Sequence, residues 1–145
     1  MALDDQIRAL LKSTRTIGVV GLSEKSWRPS HDVAAYLRSV GYTIVPINPK
    51  IKTVLGLPAY PDLLTAAREH PIEIVDIFRR AEFVPDIVEQ AIAIQARAVW
   101  MQLGVIHREA ARRAHDAGLV VVMDRCIKVE YQRWRDSEET ESWTR

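Results

Sequence analysis

Three observations predict an α/β fold in which a parallel five-stranded sheet is doubly wound, with helices on both faces. Five short runs, 16–20, 42–47, 73–78, 97–103 and 119–123, are largely apolar rather than alternating. Strands covered on both faces read this way, because neither side meets water. Stretches with apolar residues at helical spacing separate the runs. Such strand–helix alternation is the sequence form of a parallel sheet with right-handed crossovers.

The elements follow in order. Leu3 to Ser13 places Leu3, Ile7, Leu10 and Leu11 on one helical face. Thr16 to Val20 is the first strand. A helix opens at Pro29 or Ser30 and runs through Val40, with Val33, Ala34 and Leu37 inward and Gly41 ending it. Ser30 is expected to serve as its N-cap. Tyr42 to Ile47 is the second strand, stopped by Asn48-Pro49. Lys50 to Tyr60 is expected to be a loop, with a short helix after Pro61. Glu73 to Phe78 is the third strand, and Asp76 inside it is expected to be buried with its hydrogen bonds made. Val84 to Gln95 is a helix with Pro85 in its first turn. Arg97 to Leu103, ended by Gly104, is the fourth strand. Arg108 to Ala117 is a helix capped by Gly118, and Leu119 to Met123 is the fifth strand. Val129 to Arg135 forms a last helix. Residues 1–135 are expected to form one domain, followed by a loose polar tail, 136–145. The expected strand order is 3-2-1-4-5. It reverses between the first and fourth strands, and a ligand crevice lies outside their carboxyl ends.

Composition narrows the function. The chain of 145 residues is 48% hydrophobic and 27% charged, enough for a real core. A net charge of +1 gives no reason to expect a nucleic-acid or membrane surface as partner. No apolar run approaches a membrane span, and no signal-peptide core stands at the start. The only cysteine, Cys126, excludes an intrachain disulfide and suits a reducing compartment, so a cytoplasmic location is expected.

The strand ends carry the chemistry. The stretch Ile17 to Ser30 joins a strand, Gly21, a polar loop and a helix start, the parts of a phosphate-binding βα unit. The dinucleotide pattern G-x-G-x-x-G, aligned on Gly21, reads Gly21, Ser23 and Ser26, so it is degenerate. Arg28 stands just before the helix, and its planar fork suits phosphate. A NAD site places an acid at the end of the second strand, to hold the ribose hydroxyls. This chain places Asn48, Pro49, Lys50, Ile51 and Lys52 there, which favours an adenine nucleotide with a phosphorylated ribose, CoA or NADP. The remaining rim is Phe78-Arg79-Arg80, Gln102-Leu103-Gly104 and Asp124-Arg125-Cys126.

Catalytic signals are sparse. His31, His70, His107 and His115 show no metal-ligand spacing, and most of them read as surface residues. No nucleophile elbow or P-loop lysine motif is present. The reading therefore assigns no catalytic or metal residue. Cys126 is a candidate redox thiol, because it sits on the ligand rim and CoA ends in a thiol.

Seven ordered motifs carry a family resemblance. They are Val20-Gly21-Leu22-Ser23; Arg28-Pro29-Ser30; Gly41-Tyr42 into Val45-Pro46-Ile47-Asn48-Pro49; Gly56 with Tyr60-Pro61; Val75-Asp76-Ile77-Phe78-Arg79-Arg80; Val99-Trp100-Met101-Gln102-Leu103-Gly104; and Val121-Val122-Met123-Asp124-Arg125-Cys126. Over about residues 5–135 the chain resembles the stand-alone CoA-binding domain proteins, which are similar to the N-terminal domain of the succinyl-CoA ligase α-subunit. The resemblance implies a Rossmann-like fold that binds coenzyme A or acyl-CoA. It implies that Gly21, Leu22, Ser23, Arg28 and Ser30 hold phosphates. Asn48, Pro49 and Lys50 would lie by the adenosine end, and Phe78, Arg79 and Gln102 to Gly104 would border the rest. In such ligases the phosphohistidine belongs to a second domain and the nucleotide site to a partner subunit. The expected function is thus a CoA-binding module, as carrier, sensor or regulatory partner. An acyl-CoA ligase component completed by a partner protein and an NADP-dependent enzyme are the alternatives.

Overall fold

A computed structural model describes residues 2–144; Met1, at the start of the expected domain, and Arg145, at the end of the expected tail, lie outside the described residues. The elements are α1 (Leu3–Ser13), β1 (Thr16–Val20), α2 (Pro29–Ser39), β2 (Thr43–Ile47), β3 (Thr53–Val54), β4 (Leu57–Pro58), α3 (Leu63–Ala66), β5 (Ile74–Ile77), a 3-10 turn (Ala81–Phe83), α4 (Val84–Ala93), β6 (Ala98–Met101), α5 (Arg108–Asp116), β7 (Val120–Met123) and α6 (Ile127–Thr144). The five long strands form one parallel sheet in the order β2-β1-β5-β6-β7. Strand β1 is buried at every position, as its apolar run requires.

Two cores sandwich the sheet. Ile7, Leu10 and Leu11 of α1, Val33, Ala34 and Leu37 of α2, and Ile127, Tyr131 and Trp134 of α6 cover one face. Leu63 and Ala66 of α3, Val84, Ile87 and Val88 of α4, and Ala110 and Ala114 of α5 cover the other. Among the described residues, no helix is long and apolar enough to cross a membrane.

The doubly wound α/β architecture is as expected, but the strand order is not. The third long strand, β5, lies beside β1 instead of outside β2, so the order by long strand is 2-1-3-4-5. The crossovers give the reason. Helix α2 covers one face as the chain passes from β1 to β2, and α3 covers the opposite face as it passes on to β5. A right-handed crossover on the opposite face must travel in the opposite direction, back across β1. The order therefore reverses between β1 and β5, not between the first and fourth strands.

Four local expectations change as well. The stretch 50–60, expected to be a loop, contains a hairpin in which Thr53 pairs with Pro58 and Val54 with Leu57. Leu55 and Gly56 have φ of 56° and 71°, the left-handed pair that a tight two-residue turn needs. Ser30 is not the N-cap of α2; Arg28 holds that place, with Pro29 opening the helix. Helix α6 runs to Thr144, so 136–144 is helical where a loose tail was expected. No glycine or proline interrupts it, and Trp134 Nε1 donates to Glu138 Oε1 at 3.1 Å along its surface. Finally, Asp76 is fully buried, but neither of its carboxylate oxygens has a hydrogen-bond partner. Beside it in the sheet stand Val19 and Trp100, and apolar side chains of α1, α2 and α6 cover that face. Burial pushes its carboxyl well above the usual carboxylate range.

Candidate functional site

The carboxyl ends of the strands build the site. After β1, Gly21 adopts φ +84°, and a Cβ there would sit 2.3 Å from the carbonyl oxygen of Phe78. Glycine is thus required by the close approach of the neighbouring strand end, across the point where the order reverses. Its N–H donates to Ile47 O at 2.8 Å, tying the loop to β2 as well. The Ser23 N–H donates to Ser30 Oγ at 3.0 Å, and the Lys25 N–H to Ser23 Oγ at 3.1 Å. Arg28 N–H donates to Lys25 O at 3.1 Å. The polar loop is thereby folded down on the start of α2, with Lys25 and Arg28 beside the helix N-terminus.

After β2, both ends of the Asn48 amide are occupied. Nδ2 donates to Leu22 O at 3.0 Å, and Oδ1 accepts the Lys50 N–H at 2.9 Å. Asn48 thus ties the β2 loop to the β1 loop and holds the turn that carries Lys50. After β5, Arg79 stacks on Phe83, its guanidinium carbon 4.1 Å from the ring centroid. After β6, Gln102 Oε1 accepts the Ile127 N–H at 3.0 Å and caps α6. Asp124, at φ +60°, accepts the Gly104 N–H at 2.7 Å, and Trp100 Nε1 donates to Arg125 O at 2.9 Å. These bonds lock the β6 and β7 loops together.

The loops enclose a cavity of about 860 Å³, lined by Gly21, Ser23, Lys25, Arg28, Pro29, Ser30, Val33, Lys50, Phe78, Arg79, Arg80, Gln102, Leu103, Gly104, Val105 and Cys126. That size suits a large cofactor. Its charge is segregated along the sheet. Lys50 follows β2, Lys25 and Arg28 follow β1, and Arg79 and Arg80 follow β5. Gln102 to Val105 and Cys126, which follow β6 and β7, carry no acidic or basic side chain. Among the described residues, no aspartate or glutamate lines the cavity. Arg80 lies 3.7 Å from Glu82, whereas among the described residues Lys25, Arg28, Lys50 and Arg79 have no carboxylate partner. Such an arrangement can hold a polyanion at one end and a neutral chain at the other.

Of the residues singled out in the sequence, the cavity brings together Gly21, Ser23, Arg28, Ser30, Lys50, Phe78, Arg79, Gln102, Gly104 and Cys126. Leu22, Asn48 and Pro49 do not line it. Leu22 is a core residue, and Asn48 acts through its two backbone ties. Pro49 borders a separate hollow of about 140 Å³ with Pro61 and Phe83. The sequence reading does not single out Lys25, Val33 or Val105 as site residues. Val33 was legible, since it stands three residues after Ser30 on the same helical face. Among the described residues no group of three or more metal-ligating side chains exists.

Comparison with known proteins places this site in a lineage. Residues 15–132 match a family model described as a CoA binding domain. The chain is 38% identical over 124 residues to the uncharacterized protein YneT of Bacillus subtilis, covering 86% of this chain and 90% of that one. It is similar to a solved hypothetical protein from Pyrococcus horikoshii, with a TM-score of 0.86, 39% identity, and 90% and 91% of the two chains covered. It is also 24% identical over 123 residues to an ADP-forming acetate–CoA ligase of Archaeoglobus fulgidus, spanning 78% of this chain but only 18% of the ligase. The matched segment runs from just before β1 into α6 and so includes every loop of the cavity. The chain therefore belongs to the CoA binding domain family.

Proposed function

We propose that the protein binds coenzyme A or acyl-CoA in this cavity and acts as a binding module, a carrier, sensor or regulatory partner, without a complete catalytic apparatus of its own. The observation that carries the reading is the segregation of charge. Unpaired cations gather at the β2, β1 and β5 loops, and uncharged side chains line the β6 and β7 loops. CoA has the same polarity, with three phosphates on its nucleotide half and a neutral pantetheine arm beyond. In this reading Arg28, Ser23, Ser30 and Gly21 hold the diphosphate, Lys50 faces the ribose phosphate, Arg79 stands where the phosphates meet the arm, and Phe78, Gln102 and Gly104 border the arm. A cytoplasmic location belongs to the same reading, since CoA is an intracellular cofactor.

Calorimetric titration tests it. CoA is expected to bind more tightly than dephospho-CoA, and both more tightly than NAD and NADP. Equal affinity for CoA and NAD would overturn the reading. Native mass spectrometry of the purified protein, with and without reductant, is expected to reveal co-purifying CoA.

A second reading has its own support. The similarity to an acetate–CoA ligase of which the chain spans 18% fits a ligase component completed by a partner chain. It predicts that a second protein co-purifies and that only the pair forms acyl-CoA.

A further inference from the structure

The uncharged end of the cavity holds a thiol and an unused hydrogen-bond donor. Cys126 is a free cysteine, half-buried in the cavity wall at the mouth of α6. Gln102 lines the same cavity and is only 4% exposed. Its Oε1 is committed to the N–H of Ile127, the residue covalently next to Cys126. That bond fixes which end of the amide is which, because only the oxygen can accept. The Nε2 donor is left uncommitted by that bond, and it has no hydrogen-bond partner among the described residues. Only Asp76 has side-chain polar atoms that are both buried and without a partner among the described residues, so the Gln102 Nε2 donor is open to the cavity and free to donate to a ligand that enters it.

The distance along the sheet fits the ligand. Three strand spacings separate β1 from β7, about 14 Å. A nucleotide whose phosphates sit over the β1 loop extends its neutral arm across β5 and β6 toward Cys126. This argument rests on the CoA reading above.

We propose that Cys126 is a thiol-exchange site for the bound ligand. Gln102 positions the arm by donating from Nε2 to an amide carbonyl, and Cys126 forms a mixed disulfide with the ligand sulfur. The oxidant is CoA disulfide. Cys126 releases its proton to solvent, and its thiolate attacks one sulfur of that disulfide. The sulfur–sulfur bond between the two CoA units breaks as the bond from Cys126 to one of them forms. The other CoA leaves with the electron pair and takes up a proton. The protein thiol is oxidised, one CoA is reduced, and a reductant reverses the step.

The test follows intact mass during incubation with CoA disulfide or with glutathione disulfide at equal concentration. Pre-binding of the nucleotide makes the CoA adduct form at least about tenfold faster than the glutathione adduct. The adduct is lost on reduction and absent in Cys126→Ser, which still binds CoA in the calorimeter. Gln102→Glu keeps an oxygen for the Ile127 N–H but removes the donor, and the ratio of the two rates is expected to fall about tenfold. Equal rates for the two disulfides, or no adduct, in protein that binds CoA by calorimetry would overturn the thiol-exchange site and leave the binding function standing. Failure to bind CoA at all would overturn both.

Discussion

Arg28 and Asp76 show two ways in which a single charge is handled. Arg28 is exposed, ends the β1 loop and has no carboxylate partner among the described residues, so its charge is available to a ligand. Replacing it with alanine is expected to weaken CoA binding by about 1.5–3 kcal/mol, the scale of a charge-assisted hydrogen bond. Arg28→Lys should recover only part, because the fork geometry is lost. Titration calorimetry checks both, and the melting temperature without ligand should barely move. Asp76 is the reverse case, an acid with no partner inside an apolar layer. Its folded pKa lies above the ordinary value, so the fold keeps a proton that the unfolded chain releases near pH 4. Stability from this group therefore falls as pH rises above about 4, until the folded acid itself ionises. Asp76→Asn cannot titrate. Its melting temperature is expected to gain on that of the parent as pH rises above about 4. A difference that is flat with pH would show that the buried acid is not protonated in the fold. The layer Val19–Asp76–Trp100 lies one pleat beneath Gly21, Phe78 and Gln102.

At the scale of elements, the site is made by ties between loops. Asn48, read as a ligand contact, joins the β1 and β2 loops and holds the turn that carries Lys50, while it does not itself line the cavity. We expect part of its effect on binding to pass through Lys50. In a double-mutant cycle of Asn48→Ala and Lys50→Ala, the two losses of CoA affinity are expected to be non-additive by about 0.5–3 kcal/mol. Simple additivity would mean that Asn48 touches the ligand itself. The loops after β6 and β7 are tied in the same way, through Gln102, Asp124 and Trp100. His107 caps α5 by accepting the Ala110 N–H at 3.0 Å. These roles were hidden in the sequence because each joins residues about 20 positions apart, or depends on a cap that only a formed helix presents. Hairpin β3–β4 escaped notice for a simpler reason: strands of two residues are too short to display a period.

At the scale of the whole molecule, ligand binding and folding are linked. A ligand at about 100 times its Kd stabilises the native state by about 2.7 kcal/mol. For a domain of this size that is a rise in melting temperature of about 5–10 °C. CoA is expected to produce such a shift in a thermal melt, and NAD at the same concentration is not. Trp27 and Leu103, 75% and 71% exposed, stand on the loops that border the cavity and have no core to join.

The sequence by itself determined the number and direction of the long strands, the helices between them, and most of the residues that meet in the cavity. Those properties are local: burial on both faces writes a continuous apolar run, a helix writes its spacing, and a strand end in a parallel sheet is a fixed place for polar residues. Only the tertiary structure decided the strand order, because it depends on which face the four-residue helix α3 packs against, and so short a helix shows no distinctive face in sequence. That choice sets β5 beside β1, requires Gly21 against Phe78, and puts Arg79 and Arg28 on the loops of neighbouring strands. It also decided that Asp76 has no partner, since a missing hydrogen bond is a property of the surroundings and leaves no mark on the residue itself.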